Sequence, residues 1–197
     1  MNQALFATDT AKLAPREARL TTILLIARLT IQKRDYLCRI RNLSAGGMLF
    51  ETTAPVTIGE HVCIELKNGA VVYGVVVWAK LPSVGLSLDQ KINVEAMLTT
   101  NPQLPKSLRL STRCPVVLRR DGYIITGVLE DISQGGARIT LSGSAKLDDH
   151  VLLVTPGLAS RHATVKWVFG ATIGVAFADQ VAFADLTRWL VSELRFN

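Results

Sequence analysis

Short runs of apolar and β-branched residues, separated by turn-forming residues, fill the chain from residue 20 onward. Apolar and polar positions alternate within many of these runs, which is typical of β-strands with one buried face. In the first half the pattern predicts strands at 20–31, 36–42, 47–52, 61–66, 71–79 and 83–88. In the second half it predicts strands at 114–119, 123–130, 136–141, 150–155, 162–169 and 172–177. Both halves are therefore predicted to be mainly β.

Turn and helix signals separate the predicted strands. Asn68-Gly69 and Asp121-Gly122 predict hairpin turns, because these residues tolerate positive φ. Apolar residues recur at helical spacing in 181–196, and 92–98 contains a shorter counterpart. Six antiparallel strands followed by a helix predict a small closed barrel in each half, since closure removes exposed strand edges. A two-sheet sandwich would produce much the same pattern.

A repeated hexapeptide indicates that the two halves are copies of one unit. The sequence NLSAGG at 42–47 returns as DISQGG at 131–136, a shift of 131 − 42 = 89 residues. The same shift relates two further pairs of residues, Trp78 with Trp167 and Gly85 with Gly174. Three landmarks at one offset predict tandem domains of the same fold. Both tryptophans are expected in the barrel cores, with stacking on a ligand base as the alternative.

The predicted organisation has four parts. Residues 1–14 show weak patterning and are expected to form a flexible arm. They precede a first domain at 15–100, a proline-containing linker at 101–105 and a second domain at 106–197. Each domain has enough residues to bury a core of its own.

Charge and composition narrow the function classes. The 197 residues include 22 basic and 16 acidic side chains, a net charge of +6, and the stretch from Lys106 to Arg120 has five basic residues and no acidic one. Focused positive charge suits a phosphate-bearing partner, although a solvated basic face is the plainer explanation. Three cysteines without metal or redox spacing, and no signal-like or membrane-length apolar stretch, predict a cytoplasmic protein without a membrane span. No metal-ligand cluster, phosphate-cradling loop or activated nucleophile is evident, so we expect no enzyme, no catalytic residue and no metal or other cofactor.

The second hexapeptide has side chains suited to a ligand-binding turn. Asp131 can accept a hydrogen bond from an N–H group, and Ser133 can both donate and accept. Gly135 and Gly136 would let the backbone turn sharply and approach a flat ligand. An Asp–Ser pair would suit the N–H donors of guanine, whereas the structural alternative is a turn in which the side chain bonds its own backbone. Arg138 would either lie near this site or point outward.

Two arginines precede this turn. Arg109 and Arg113 are four residues apart, and guanidinium groups bind phosphate and the acceptor edge of guanine. Together with the hexapeptide they resemble the RxxxR and [D/N]xSxxG motifs of the PilZ domain family, and the resemblance extends over about 105–196. It implies a six-stranded antiparallel barrel with a C-terminal helix and cyclic di-GMP as the ligand. By the same resemblance, both arginines would grip phosphate and guanine, while Asp131, Ser133 and Gly136 would line the opposite side of the base.

The first half follows the family pattern only in part. Asn42, Ser44 and Gly47 keep the second motif, but Arg16 and Arg19 have two residues between them instead of three. The spacing from the arginines to the hexapeptide is also longer than in the second half, 42 − 19 = 23 against 131 − 113 = 18, and a longer first hairpin would absorb the difference. These five residues form a second candidate site with weakened or lost affinity.

The sequence therefore predicts tandem PilZ-like barrels that act as a non-catalytic cyclic di-GMP receptor in bacterial second-messenger signalling, with the ligand bound mainly by the second domain. Binding is expected to order the segment 104–114 and to reorient the barrels toward a downstream protein partner. Two alternatives stay open, an adaptor with degenerate PilZ domains that works without nucleotide and a small-barrel nucleic-acid binder. Nucleic acid is the less favoured partner, because aromatic residues make up only 6% and single-strand binding needs exposed stacking rings.

Overall fold

The computed structural model describes residues 25–98 and 107–193, which form two closed antiparallel barrels. The first barrel consists of β1 (Leu25–Ile31), β2 (Arg34–Leu43), β3 (Gly47–Thr52), β4 (His61–Leu66), β5 (Val71–Lys80) and β6 (Ser83–Leu88), followed by α1 (Val94–Leu98). The second consists of β7 (Leu110–Arg120), β8 (Tyr123–Ser133), β9 (Gly136–Leu141), β10 (His150–Val154), β11 (Arg161–Phe169) and β12 (Thr172–Phe177), followed by α2 (Phe183–Glu193). Both barrels have the same strand order, which is β1-β2-β3-β6-β5-β4 in the first. The barrel prediction is confirmed, and the sandwich alternative is wrong.

The predicted strands all occur, and the differences lie at their ends. β2 begins at 34 rather than 36, β7 begins at 110 rather than 114, and β8 continues to 133. These ends extend because backbone groups pair with the neighbouring strand even where the side chains are polar, as Ser111 does with Asp131. The predicted arm, the linker and the strand residues 20–24 lie outside the described residues.

The first hairpins of the two barrels have the same length. Leu25 pairs with Ile40 as Cys114 pairs with Leu129, and both pairs keep the 89-residue offset. Each hairpin closes through a two-residue loop at positive φ, Gln32-Lys33 in the first barrel and Asp121-Gly122 in the second. The expected longer first hairpin is therefore wrong. The first loop lacks glycine and asparagine, so it carried none of the usual turn signals.

Each barrel contains β-bulges that reverse the alternation between inward and outward side chains. The pairing of β8 with β9 shifts between Leu129 and Asp131, and that of β11 with β12 shifts between Val165 and Trp167. Leu129 and Val165 are buried in the core, so a regular strand would also turn the residues two positions later inward. The extra residue at each bulge turns Asp131 and Trp167 to the outer face instead. The first barrel has bulges at the equivalent places, before Asn42 and Trp78.

The prediction that the tryptophans belong to the barrel cores is wrong, because of these bulges. Trp78 is 43% exposed and Trp167 is 38% exposed. Each indole lies against the backbone of its cross-strand partner, Gly85 or Gly174, where an added Cβ atom would overlap the indole nitrogen. The glycines of the repeat therefore provide the space that each indole occupies.

The two barrels contact each other through β2 and α2. Leu37, on β2, is 2% exposed and belongs to the apolar cluster of the second barrel. Val191, on α2, packs against the cluster of the first barrel. The guanidinium carbon of Arg39 lies 4.9 Å from the ring centroid of Phe183, a cation–π distance. These contacts join the C-terminal helix of the second barrel to the second strand of the first.

The described ranges contain no disulfide, no membrane-length apolar helix and no metal-ligand group. None of the three cysteines, all of which lie in those ranges, forms a disulfide. Burial raises the pKa of the Cys38 thiol and that of the Cys63 thiol, which makes both poor thiolate nucleophiles. Within 25–98 and 107–193, no helix is long and apolar enough to cross a membrane, and no group of three or more His, Cys, Asp or Glu side chains is placed to hold a metal ion.

Replacing Gly174 with alanine should destabilise the second barrel, because the new Cβ atom would overlap the indole of Trp167. We expect a loss of about 1–3 kcal/mol in the free energy of unfolding, measured by urea denaturation. Gly135→Ala is the matched control, since nothing lies within 4 Å of the Cβ atom it would add. The control should change stability by less than about 0.5 kcal/mol. Equal stability of the two variants would show that the indole does not need the glycine.

Candidate functional site

A row of directly paired residues crosses the outer face of the second barrel. Asp131 on β8 pairs with Arg138 on β9, Arg138 pairs with Gly174 on β12, and Gly174 pairs with Trp167 on β11. Directly paired residues of neighbouring antiparallel strands project to the same face, so these side chains share one surface. The row places a carboxylate, a guanidinium and an aromatic ring side by side. We call it the second-barrel row.

The carboxylate of Asp131 is held by two arginines. Its Oδ1 atom lies 2.7 Å from Nη1 of Arg109, and its Oδ2 atom lies 2.8 Å from Nε of Arg138. The Asp131 side chain is only 8% exposed, whereas the two arginine side chains are about half exposed. A buried carboxylate needs such charge-assisted partners to offset its loss of hydration. The sequence left the orientation of Arg138 undecided, and the structure places it in the site.

The serine and glycines of the hexapeptide form the turn between β8 and β9. Ser133 is buried, and its hydroxyl donates to the carbonyl oxygen of Gly136 at 3.2 Å. An added Cβ atom on Gly136 would overlap the carbonyl oxygen of Val175, so this position requires glycine. Gly135 faces open space and accepts from the N–H of Phe177 through its carbonyl oxygen. Ser133 therefore has a structural role in the turn, whereas the carboxylate of Asp131 contacts the two arginines.

Arg109 and Arg113 lie at opposite ends of an irregular stretch of β7. Arg109 immediately precedes the strand, and the pairing with β8 shifts between Ser111 and Cys114. The side chain of Arg113 is exposed and makes no ion pair with the other described residues. Arg113 is therefore available to bind an anion. Arg109 would have to release Asp131 first, or contact the anion and Asp131 at the same time.

The arginine-bearing segment is attached to the first barrel at two backbone groups. Nη1 of Arg28 donates to the carbonyl oxygen of Arg109 at 3.1 Å, and the N–H of Ser111 donates to Oδ2 of Asp35 at 3.0 Å. Asp35 also accepts from the hydroxyl of Thr30 at 2.8 Å, which fixes its carboxylate. Because of these bonds, a displacement of the Arg109 backbone would also displace the first hairpin of the first barrel.

The corresponding row of the first barrel has different chemistry. Asn42 on β2 pairs with Leu49 on β3, Leu49 pairs with Gly85 on β6, and Gly85 pairs with Trp78 on β5. A pocket of about 260 Å³ lies on this row and is lined by Asn42, Ser44, Gly47, Leu49 and Trp78 among others. The Ser44 hydroxyl donates to the carbonyl oxygen of Gly47 at 3.0 Å, as in the second barrel. Asn42 Oδ1 is buried and has no hydrogen-bond partner among the described residues.

The sequence offset of the repeat relates the arginine pair to two leucines. An offset of 89 residues aligns Leu24 with Arg113 (113 − 89 = 24) and Leu20 with Arg109 (109 − 89 = 20). Neither position carries a charge. Arg16 and Arg19, which complete the second candidate site, lie outside the described residues. Their part in a second site stays a prediction from the sequence.

Several residues around the site were not singled out from the sequence. Asp35 and Arg28 reach the arginine segment only because the two barrels pack against each other, so no local motif marks them. Arg138 had a signal, since it follows the hexapeptide by two positions and therefore shares the β9 face with residues outside the core. The exposure of the tryptophans had no such signal, because the residue inserted at each bulge is not marked in the sequence.

Replacing Asp35 with alanine should loosen the arginine segment. The change removes the acceptor of the Ser111 N–H and a partner of Arg28, so we expect faster amide hydrogen exchange at Ser111 and a loss of about 2 kcal/mol in stability. Asp179→Ala, at an exposed position, is the control and should alter neither quantity. Unchanged exchange at Ser111 in Asp35→Ala would contradict a role for this carboxylate in holding the segment.

Comparison with known proteins connects this geometry to a family. A sequence model described as the PilZ domain matches the chain twice, at residues 14–99 and 103–192. No protein in a search of curated proteins matched the chain. The PilZ domain of CeSA from a cellulose-synthesizing bacterium is 26% identical over 46% of this chain and 96% of that one, with a TM-score of 0.34. The PlzA protein of Borreliella burgdorferi, solved in complex with c-di-GMP, is 9% identical over 90% and 93% of the two chains, with a TM-score of 0.38. YcgR of Escherichia coli, also solved with c-di-GMP, is 13% identical over 88% and 85%, with a TM-score of 0.37.

Proposed function

Since the chain belongs to the PilZ domain family, we propose that it is a non-catalytic bacterial receptor for cyclic di-GMP that binds its ligand mainly through the second barrel. The proposed site comprises Arg109, Arg113, Asp131, Ser133, Gly135 and Gly136, to which we add Arg138. The cytoplasmic location and the downstream protein partner stay predictions from the sequence.

The observation that carries this proposal is the excess of guanidinium groups around one carboxylate. Arg109 and Arg138 both contact Asp131, while Arg113 projects from the same segment without an ion pair among the described residues. Three positive charges against one negative charge leave a local excess of positive charge at a partly exposed surface. Such a surface favours an anionic ligand, and a cyclic dinucleotide carries two phosphates.

The ion pairs suggest how the ligand would enter. A phosphate would compete with Asp131 for Arg109, and charge-assisted bonds to phosphate are of the same kind as those that the arginine already makes. The exchange would release Oδ1 of Asp131, which could then accept from an N–H group of the guanine base. Arg138 would hold Oδ2 throughout and so keep the carboxylate oriented. Trp167, at the end of the row, offers an exposed aromatic face near the base.

Ligand entry would also affect the interface between the barrels. Moving the Arg109 side chain toward a phosphate would pull on the backbone carbonyl that Arg28 holds and on the neighbouring Ser111 N–H. The two bonds connect the ligand site to a hairpin of the first barrel, so binding would favour one relative placement of the barrels. The predicted ordering of 104–114 on ligand binding remains a part of this proposal. Within 107–114, the carbonyl of Arg109 and the N–H of Ser111 are already hydrogen-bonded to the first barrel.

A specific observation also favours the adaptor alternative. The end of β11 exposes Trp167, Val168 and Phe169, and Phe169 is 83% exposed. Adjacent exposed apolar side chains are common at protein-interaction surfaces. Calorimetric titration with cyclic di-GMP separates the two functions, because the receptor should release heat saturably whereas a nucleotide-independent adaptor should not.

Replacing Arg113 with alanine should weaken cyclic di-GMP binding. Loss of a charge-assisted contact to phosphate should cost about 2 kcal/mol, or roughly 30-fold in the dissociation constant measured by calorimetry. Arg119→Ala is the matched control, because Arg119 is also an exposed arginine of β7 but lies outside the proposed site. Affinity that falls equally in both variants would indicate a general charge effect and contradict a specific contact by Arg113.

The two barrels should respond differently to equivalent substitutions. Asp131→Ala should weaken cyclic di-GMP binding at least tenfold, because it removes the proposed base acceptor and the common partner of two arginines. Asn42→Ala should leave the dissociation constant within about twofold, because the first barrel lacks charged residues at the two clamp positions. Equal losses in the two variants would show that both barrels bind the dinucleotide. Urea denaturation of each variant would check that its fold is intact.

A further inference from the structure

Asn42 lines the pocket of the first barrel, and its side-chain oxygen has no partner within the described part of the chain. This Oδ1 atom is buried. In the second barrel the equivalent carboxylate has a guanidinium on each oxygen. The first barrel has Leu49 where the second has Arg138. An unpaired buried acceptor is destabilising, so a rotation of the Asn42 amide that gave this oxygen a ligand N–H partner in the pocket would be favourable.

The presence of Leu49 instead of an arginine leaves space above β3 in the first barrel. In the second barrel the side chain of Arg138 extends from β9 to the carboxylate on β8. Leu49 is shorter and cannot make that bond, and the pocket of about 260 Å³ lies beside it, between Asn42 and Trp78. This volume is slightly below the usual range for drug-sized ligands, about 300–1,000 Å³, and so suits one nucleobase rather than a dinucleotide.

The lining of the pocket favours an uncharged planar ring. No charged side chain lines it among the described residues, and the nearby Arg41 is engaged by Glu51 at 2.8 Å. Trp78 lies against Gly85 on one side and is 43% exposed, so part of its indole is open to stacking. Stacking of a base on an aromatic side chain is favourable and needs no charge. Val77 adds an apolar edge.

We propose that this pocket binds a single adenine-type ring, held by the amide of Asn42 and stacked on Trp78. The amide presents an acceptor beside a donor, which matches the amino group of adenine and the ring nitrogen next to it. Asp131, by contrast, is an acceptor only and suits adjacent N–H donors. The ring would belong to an adenosine-containing compound whose phosphates, where present, extend into solvent. This inference is independent of cyclic di-GMP binding by the second barrel, and it assigns the first barrel a ligand of a different class.

The test is a titration of the full-length ¹⁵N-labelled protein with adenosine, followed through the indole N–H resonances. The resonances of Trp78, Trp167 and Trp189 are assigned from single Trp→Phe variants. We expect a saturable shift of the Trp78 resonance, with a dissociation constant of about 1 mM or below, while the Trp167 resonance stays in place. AMP should bind with the same affinity within about threefold, because the described lining of the pocket has no cationic side chain to bind a phosphate.

Two variants establish whether Asn42 and the open space are responsible. Leu49→Arg installs the residue of the second barrel, whose guanidinium should reach Asn42 and fill the pocket, and Asn42→Ala removes the acceptor. Each should weaken the adenosine response at least tenfold, whereas Arg119→Ala should not change it. If spectra show that Leu49→Arg disturbs the fold, Asn42→Ala by itself provides the test.

Specific results would overturn the proposal. It fails if the Trp78 resonance does not shift up to about 10 mM adenosine, a concentration far above the expected dissociation constant. It also fails if Asn42→Ala leaves the response intact, or if AMP binds more than tenfold more tightly than adenosine. A Trp78 response to cyclic di-GMP that Asn42→Ala removes would replace the proposed ligand with the dinucleotide. None of these results bears on the affinity measured with Arg113→Ala in the second barrel.

Discussion

One inserted residue in each of two strands determines what this fold presents to solvent. The bulges before Asp131 and Trp167 reverse the side-chain alternation, so residues that a regular strand would bury lie on the outer face. Without them, the carboxylate would enter an apolar core at a prohibitive desolvation cost, and the indole would compete with the core for space. With them, both side chains join one surface row. The first barrel has the same device at Asn42 and Trp78, and its row has the same geometry.

The same strand arrangement supports two kinds of surface because two positions of the row differ. The second barrel combines Asp131 with Arg138 and Arg109, and the mutual attraction of these charges keeps each in place. The first barrel combines Asn42 with Leu49. The second surface is therefore electrostatic and closed by its own ion pairs, whereas the first is neutral and has an open pocket. The two copies of one fold therefore present surfaces of different chemistry.

The contact between the barrels is directional. Leu37 inserts into the second barrel's cluster, but its counterpart 89 residues later is Thr126, which is exposed to solvent. The second barrel thus has no apolar side chain at the position equivalent to Leu37. The interface also places Asp35 and Arg28 against the backbone of the arginine segment. A ligand that acts on those arginines has a short physical route to the first barrel.

The sequence alone determined the strand and helix order, the two-domain repeat and the family, because these depend on local alternation, turn residues and recurring motifs. It located Arg109, Arg113 and the hexapeptide, but it misplaced the tryptophans, since a bulge shifts the alternation by one residue without any marker in that copy of the chain. It also proposed a longer first hairpin, because Arg19 lies farther from Asn42 than Arg113 lies from Asp131, and the turn at Gln32-Lys33 contains no glycine that would have marked it. Only the tertiary structure showed that Arg138 pairs with Asp131, that Asn42 lacks a partner among the described residues and that Asp35 holds the arginine segment. These three facts depend on distances between strands and between barrels, which no local pattern of residues encodes.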